Sequence, residues 1–213
     1  MDSALIVIDR DGTINTDCDY LGKKRSWRRE LRLLPWAMEG LARLAQIKDA
    51  YIIVATNQSG VAHGYFGLSR VQQINDVLDK WIHERGGRID DWIVCPYVSS
   101  DFARSNGIEL EGNPFVLPND HPKLQWRKPA VGMLRQAAFL REHQLEDYAR
   151  IYSMGDKPED QLLGINAGGV GILITNDGVD LDFEYEPLPV GNRIELPNLA
   201  SAAEWIALDL GNK

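Results

Sequence analysis

The sequence predicts an α/β fold, a parallel sheet with helices on both of its faces. Three observations carry this expectation. Short runs rich in Val and Ile recur at 5–8, 51–55, 92–95, 151–154 and 170–174. They are mostly apolar without alternation, as in strands buried on both faces. Between them lie segments with apolar residues at helical spacing, and strands alternating with helices favour a parallel sheet.

Overall composition sets the outer bounds. The chain has 213 residues, 44% apolar and 25% charged, with a formal net charge of −8. That is ordinary for a soluble globular protein, long enough to bury a proper core. We expect a single domain over 1–213. No apolar run approaches the roughly 20 residues of a membrane span, and the N-terminal apolar stretch meets an Asp too early for a signal peptide. Cys18 and Cys95 are the only cysteines, so no disulfide framework is implied, and a cytoplasmic location is expected. Net acidity weighs against a general nucleic-acid binder. Repeats and low-complexity segments are absent.

The first strand ends in Asp9-Arg10-Asp11-Gly12-Thr13. Two carboxylates crowded at a strand end repel each other unless a cation lies between them, although a strand running into an Asp-Gly turn would read the same way. A basic run follows, with Lys23, Lys24, Arg25, Arg28, Arg29 and Arg32. It is either a solvated positive face or an attractor for an anionic substrate. Pro35 suits the first turn of a helix carrying Leu41, Leu44, Ala45 and Ile47.

The second strand meets Thr56-Asn57-Gln58-Ser59-Gly60, where small donors and free N–H groups can form an oxyanion pocket. Ser69 with Gln72 forms a possible capping box for a helix with Val71, Ile74, Leu78, Trp81 and Ile82 on one face, ended by Gly86-Gly87. After the third strand, 96–127 has little periodicity and reads as a long irregular loop, of a length that is usually functional or mobile. Arg127-Lys128-Pro129 then opens a helix with Met133, Leu134, Ala137 and Leu140, placing two cations where phosphate oxygens could be grasped. The fourth strand runs into Gly155-Asp156-Lys157-Pro158-Glu159-Asp160. A fifth leads into an acidic, proline-bearing loop over 175–197, after which Asn198 caps a last helix.

In a parallel sheet all strand ends point to one edge, so Asp9, Asp11, Thr56, Lys128 and Asp156 can meet there. Together they suit phosphoryl transfer. A carboxylate attacks phosphorus, a second carboxyl moves the proton, Mg²⁺ cancels repulsion, and a hydroxyl and an ammonium neutralise the equatorial oxygens.

These four motifs, in this order, resemble those of the haloacid dehalogenase superfamily of aspartyl phosphatases. Asp9-Arg10-Asp11-Gly12-Thr13-Ile14-Asn15, Thr56-Asn57-Gln58-Ser59-Gly60-Val61, Arg127-Lys128-Pro129, Gly132-Met133-Leu134 and Gly155-Asp156-Lys157 are similar to the heptose bisphosphate phosphatases and the related histidinol phosphatases. The resemblance spans most of the chain from Leu5 to about Ile174. It implies a Rossmann-like sheet with a minimal or absent cap domain, Asp9 as nucleophile and Asp11 as general acid/base. It implies Thr56 and Lys128 as phosphoryl stabilisers, and Mg²⁺ held by Asp9, the Asp11 carbonyl and Asp156, with Asp160 orienting that shell. Substrate contacts are implied from Asp17, Tyr20, Asn57, Gln58, Ser59, Arg127 and Lys157.

The chain departs from the resemblance at one place. Those phosphatases carry a zinc loop with a Cys-x-His pair and then a Cys-x-Cys pair before Arg-Lys-Pro. Here the positions read Cys95-Pro96-Tyr97 and Leu124-Gln125-Trp126, so no zinc is expected. The expected partner is a small phosphorylated metabolite, a sugar phosphate or bisphosphate. Competing readings are a histidinol phosphatase, a nucleic-acid 3′-phosphatase suggested by the basic run, and a non-catalytic binding protein. The sequence sets neither the natural substrate nor the oligomeric state.

Overall fold

The computed structural model describes residues 4–176 and 192–211. Six parallel strands form the main sheet: β1 (Ala4–Ile8), β2 (Ala50–Asn57), β3 (Asp91–Cys95), β6 (Arg150–Gly155), β7 (Val170–Ile174) and β8 (Arg193–Leu196). Their order is β3-β2-β1-β6-β7-β8. A smaller parallel pair is made by β4 (Val98–Ser99) and β5 (Val116–Leu117). The helices are α1 (Trp27–Glu30), α2 (Ala37–Leu44), α3 (Ser59–Ala62), α4 (Leu68–His83), α5 (Ser100–Ser105), α6 (Gly132–Leu140), α7 (Pro158–Asn166) and α8 (Leu199–Asp209).

The side-chain period of a strand divides β1 between two cores. Ala4, Ile6 and Ile8 pack with α2, α4 and α8 on one face, while Leu5 and Val7 pack with α6 and α7 on the other. With both faces covered, every residue of β1 is buried. The uninterrupted apolar run therefore reports the two-sided packing expected from sequence. Strand order runs outward from β1 in both directions, so β1 lies beside the topological switch point, where such sheets open a crevice at their carboxyl edge. The Asp9 N–H donates to the Met154 carbonyl at 2.8 Å, which ties the end of β1 to β6 at that crevice.

Several elements differ from expectation. The stretch 96–127 is not structureless: β4, α5, β5 and a 3-10 turn over Pro122–Trp126 occupy it. Its small core joins Val98, Ala103 and Ile108 to Ala62, and the Asn113 side chain donates to the Ala62 carbonyl at 2.7 Å. Elements this short leave no readable period. The sixth strand, β8, lies in what reads as an acidic loop. The part of that loop over 177–191 falls outside the described residues.

Helix starts also shift. Trp36, with φ 66°, sits before α2, which leaves Pro35 in the preceding turn. Gly67 stands at the N-cap of α4 in extended conformation. Ser69 therefore falls inside the helix and forms no capping box with Gln72. Pro129 precedes α6 by three residues. The cap of α8 is as expected, the Asn198 side chain accepting from the Ser201 N–H at 3.0 Å. Among the described residues, no helix is long and apolar enough to cross a membrane.

Candidate active site

The carboxyl ends of β1, β2 and β6 bring the expected groups to one edge. Asp9 is buried at the end of β1. The Lys128 ammonium donates to Asp9 Oδ1 and stands 2.6 Å from Asp160 Oδ1. Asp9, Asp156 and Asp160 each offer a ligand atom within 4.8 Å of the others, and theirs is the one such group found among the described residues. The Asp156 Oδ1 is buried with no hydrogen-bond partner.

Crowding and burial set the charge states. Burial pushes the Asp9 carboxyl up to about 7, with Asp160 and Asp11 repelling it further and Lys128 pulling the other way. Burial likewise raises Asp156 to about 6, where Lys157 opposes the shift and the Asp9 charge reinforces it. Asp160 is raised by burial as well, against the pull of Lys128. A cluster of raised carboxylates with an unsatisfied oxygen is what a hard divalent cation would relieve. Since Lys128 already engages Asp160, the oxygens left for an ion are those of Asp156 and the remaining face of Asp9.

Two glycines make the cluster possible. Gly12 has φ +92°, and a Cβ there would lie 2.2 Å from Asp156 Oδ2. At Gly155 a Cβ would lie 2.2 Å from Asp160 Oδ2. Asp160 is anchored by the Lys157 N–H to its Oδ2 at 3.1 Å and by the Ser153 hydroxyl to its carbonyl at 2.8 Å.

Asp11 is held differently. Its Oδ2 accepts from Arg10 Nη2 at 2.8 Å, Arg10 Nε at 3.2 Å and Gln58 Nε2 at 2.7 Å; its Oδ1 accepts from Asn15 at 2.9 Å. Burial works to raise this carboxyl, but the Arg10 charge and these hydrogen bonds outweigh it and hold Asp11 below the ordinary carboxylate range. Gln58 Nε2 also reaches the Thr56 hydroxyl at 2.8 Å, so one amide links the groups expected to move the proton and to steady the phosphoryl oxygens.

A cavity of about 500 Å³ opens at this edge. Asp17, Tyr20, Asn57, Gln58, Ser59 and Lys157 line it together with Asp11. Lys157 and Asp17 pair at 2.9 Å. Asn57 lines the cavity with its amide already engaged. It accepts from the Lys128 N–H at 3.1 Å and donates to Glu159 at 3.0 Å, so it supports the Lys128 backbone. Arg127 does not line the cavity. Its guanidinium lies 4.9 Å from the Phe102 ring centroid, over α5. A cation beside Lys128 in sequence is turned into the 96–127 unit because consecutive side chains of an extended segment diverge.

The basic run is largely spent on neighbours. Lys24 pairs with Glu30 at 2.9 Å, Lys23 lies 4.0 Å from the Tyr65 ring, and Arg28 lies 4.6 Å from Trp27. This favours the solvated-face reading. Sequence reading missed Arg10, Asn15, Asn75 and Glu159, all of which support the site. Arg10, Asn15 and Glu159 carried a signal, since each stands within a motif at a strand end; Asn75 carried none.

No family model matches the chain. It is, however, 31% identical to the D-glycero-beta-D-manno-heptose-1,7-bisphosphate 7-phosphatase of Pseudomonas aeruginosa, over 95% of this chain and 98% of that protein. Another relative, the D-glycero-D-manno-heptose-1,7-bisphosphate 7-phosphatase of Thermosynechococcus vestitus, is 31% identical over 96% of each. The chain belongs to the heptose bisphosphate phosphatase family. The crystal structure of D,D-heptose 1,7-bisphosphate phosphatase from B. bronchiseptica, complexed with magnesium and phosphate, superimposes with a TM-score of 0.67. It is 28% identical and covers 96% of this chain and 98% of its own. The family is one of phosphoric monoester hydrolases with a HAD-like α/β fold. The parallel sheet and the acidic cluster at its carboxyl edge agree with that membership.

Proposed function

We propose that the chain is a Mg²⁺-dependent phosphomonoester hydrolase that acts through an aspartyl-phosphate on a small phosphorylated sugar, a heptose bisphosphate. The observation that carries this reading is Asp9, buried at the end of the central strand, gripped by Lys128 and crowded by Asp156 beside a cavity sized for a small molecule.

In this reading an Asp9 oxygen attacks phosphorus, while Asp11, ionised in the free protein, takes up a proton as the anionic substrate binds and gives that proton to the departing oxygen. Asp11 then takes a proton from the water that releases phosphate from Asp9. Thr56 and Lys128 neutralise the phosphoryl oxygens. Asp9, the Asp11 carbonyl and Asp156 would hold Mg²⁺, which when bound offsets the repulsion between carboxylate and phosphate. Asp17, Tyr20, Ser59 and Lys157 are the side chains for the sugar. Gln58 and Asn57 support the machinery from its edge, and Arg127 is left out of the substrate site.

Zinc has no place in this reading, since Cys95 is buried with its Sγ turned to the Tyr97 carbonyl and the other positions of the expected ligand set hold no cysteine or histidine. The reading also takes the chain as one catalytic domain, with 96–127 as a small unit beside the site. It places the enzyme in the cytoplasm, acting on a metabolite. A polyanionic nucleic acid suits neither the net charge of −8 nor a cavity walled by Asp11 and Asp17.

Assay of the purified protein against heptose 1,7-bisphosphate, other sugar phosphates, histidinol phosphate and a 3′-phosphorylated oligonucleotide, with and without Mg²⁺, tests the reading. Preference for the heptose bisphosphate, lost in EDTA and in Asp9→Asn, is the expected result. Undiminished turnover by Asp9→Asn would sink the covalent mechanism. Elemental analysis that finds stoichiometric zinc would overturn the zinc-free reading.

A further inference from the structure

Asn75 is the polar exception on an apolar helix face. Val71, Ile74, Leu78 and Ile82 of α4 are buried, and Asn75 is buried among them at 1% exposure. Its Oδ1 accepts from Arg10 Nη1 at 2.9 Å, while its Nδ2 has no hydrogen-bond partner. Arg10 is itself 0% exposed. Burying a guanidinium is costly, and burying an amide with its donor unused adds to that cost. Neither residue lines the cavity. The arrangement has one visible outcome. With its far edge held by Asn75, Arg10 presents Nε and Nη2 together to Asp11 Oδ2, beside the Gln58 amide.

We propose that Arg10 and Asn75 are positioning residues: Asn75 fixes the Arg10 guanidinium, and Arg10 fixes the orientation of the Asp11 carboxyl group for proton transfer to the leaving oxygen. This rests on the proposed role of Asp11. In that step the Asp9–phosphorus bond forms and the phosphorus–oxygen ester bond breaks. The departing oxygen takes the proton that Asp11 gained from solution as the anionic substrate bound, and the carboxylate seen in the free protein is restored facing Arg10. The next water returns a proton to Asp11 as its oxygen displaces Asp9. A misoriented Asp11 therefore harms substrates in proportion to how much their leaving oxygen needs that proton.

The test compares phenyl phosphate with p-nitrophenyl phosphate under saturating Mg²⁺, reading kcat/KM, which reports leaving-group departure and earlier steps. Phenolate is a strong base, its conjugate acid having a pKa of about 10, and p-nitrophenolate is far weaker, so the two esters differ in need for the proton at nearly equal size. Asn75→Leu is expected to lower kcat/KM about 10-fold or more for phenyl phosphate and less than about 3-fold for p-nitrophenyl phosphate. Asp11→Asn, the control, is expected to show the same selectivity at about 100-fold.

Because Asn75→Leu leaves the buried Arg10 Nη1 without its acceptor, Arg10→Met combined with Asn75→Leu removes both partners. It decides the matter if the single variant fails to fold. Equal losses on the two esters, or no loss on phenyl phosphate, while Asp11→Asn remains selective would overturn the positioning role alone. A non-selective Asp11→Asn would overturn the acid role of Asp11, and the positioning role with it.

Discussion

The ammonium of Lys128 stands 2.6 Å from Asp160 Oδ1 and donates to Asp9 at the same time. It joins an element that precedes α6 to carboxyl groups that follow β1 and β6, and it shares one positive charge between two buried acids. Replacing one member of a buried ion pair by an apolar group typically costs about 3–5 kcal/mol.

Lys128→Met is therefore expected to lower the melting temperature, and to do so more at pH 8 than at pH 6. Lower pH protonates the carboxylates that the change leaves unpaired. Thermal melts in EDTA at the two pH values check this, and equal losses at both would show that Asp9 and Asp160 do not share the lysine as described.

The metal-free protein should itself respond to pH. Asp9 and Asp156 rise on folding from near 3.8 to about 7 and about 6. A carboxyl raised on folding binds more protons folded than unfolded, so its contribution is fully present below pH 4 and is lost as pH climbs through the folded values. A divalent cation opposes the shift by favouring the ionised carboxylates. The gain in melting temperature on adding Mg²⁺ is accordingly expected to be large at pH 8 and to shrink steadily below pH 7. A gain independent of pH between 5.5 and 8 would contradict the assignment of these carboxylates.

Gly12→Ala should uncouple the fold from the ion. A Cβ at this position meets Asp156 Oδ2 at 2.2 Å, on a backbone with φ +92°, so Asp156 must turn away. The stability loss is expected at about 1–2 kcal/mol. Mg²⁺ affinity, measured by titration calorimetry, is expected to fall at least about 10-fold, the equivalent of about 1.4 kcal/mol. Undiminished affinity would show that Asp156 has another place to reach the ion from.

Asn57→Ala should act on turnover more than on binding. The amide holds the Lys128 N–H and Glu159 across the site, and leaving a buried backbone donor unmet costs about 1–3 kcal/mol. Steady-state kinetics are expected to show kcat reduced about 10-fold with KM changed less than about 3-fold. The reverse pattern would return Asn57 to the list of substrate contacts.

How much of this was legible follows from where each signal resides. Strands buried on both faces announce themselves as apolar runs, and β1, β2, β6 and β7 were readable for that reason. β8 alternates exposed and buried residues over only four positions, Arg193 to Leu196, which is too short and too polar to stand out beside the prolines around it. Asp9, Asp11, Thr56, Lys128 and Asp156 are readable because each lies at or just after a strand end or before a helix. Asn75 was not, since a lone amide on an amphipathic helix resembles any surface position, and its partner Arg10 lies 65 residues away. Arg127 lies outside the cavity lining, because adjacency to Lys128 in sequence says nothing of which way its side chain turns.

The strand order has a consequence for how the molecule comes into being. β1 is made before β6 yet lies inside the sheet, between β2 and β6. At roughly 5–20 residues per second, synthesis delivers β6 on the order of 10–30 seconds after β1. Through that interval β1 has only β2 beside it, and one row of its backbone donors and acceptors stays open. A nascent chain stalled before 150 therefore offers an apolar strand edge to any other chain. Arrival of β6 closes that edge, so the strand that carries the site at its end is sealed on both sides only once β6 is made.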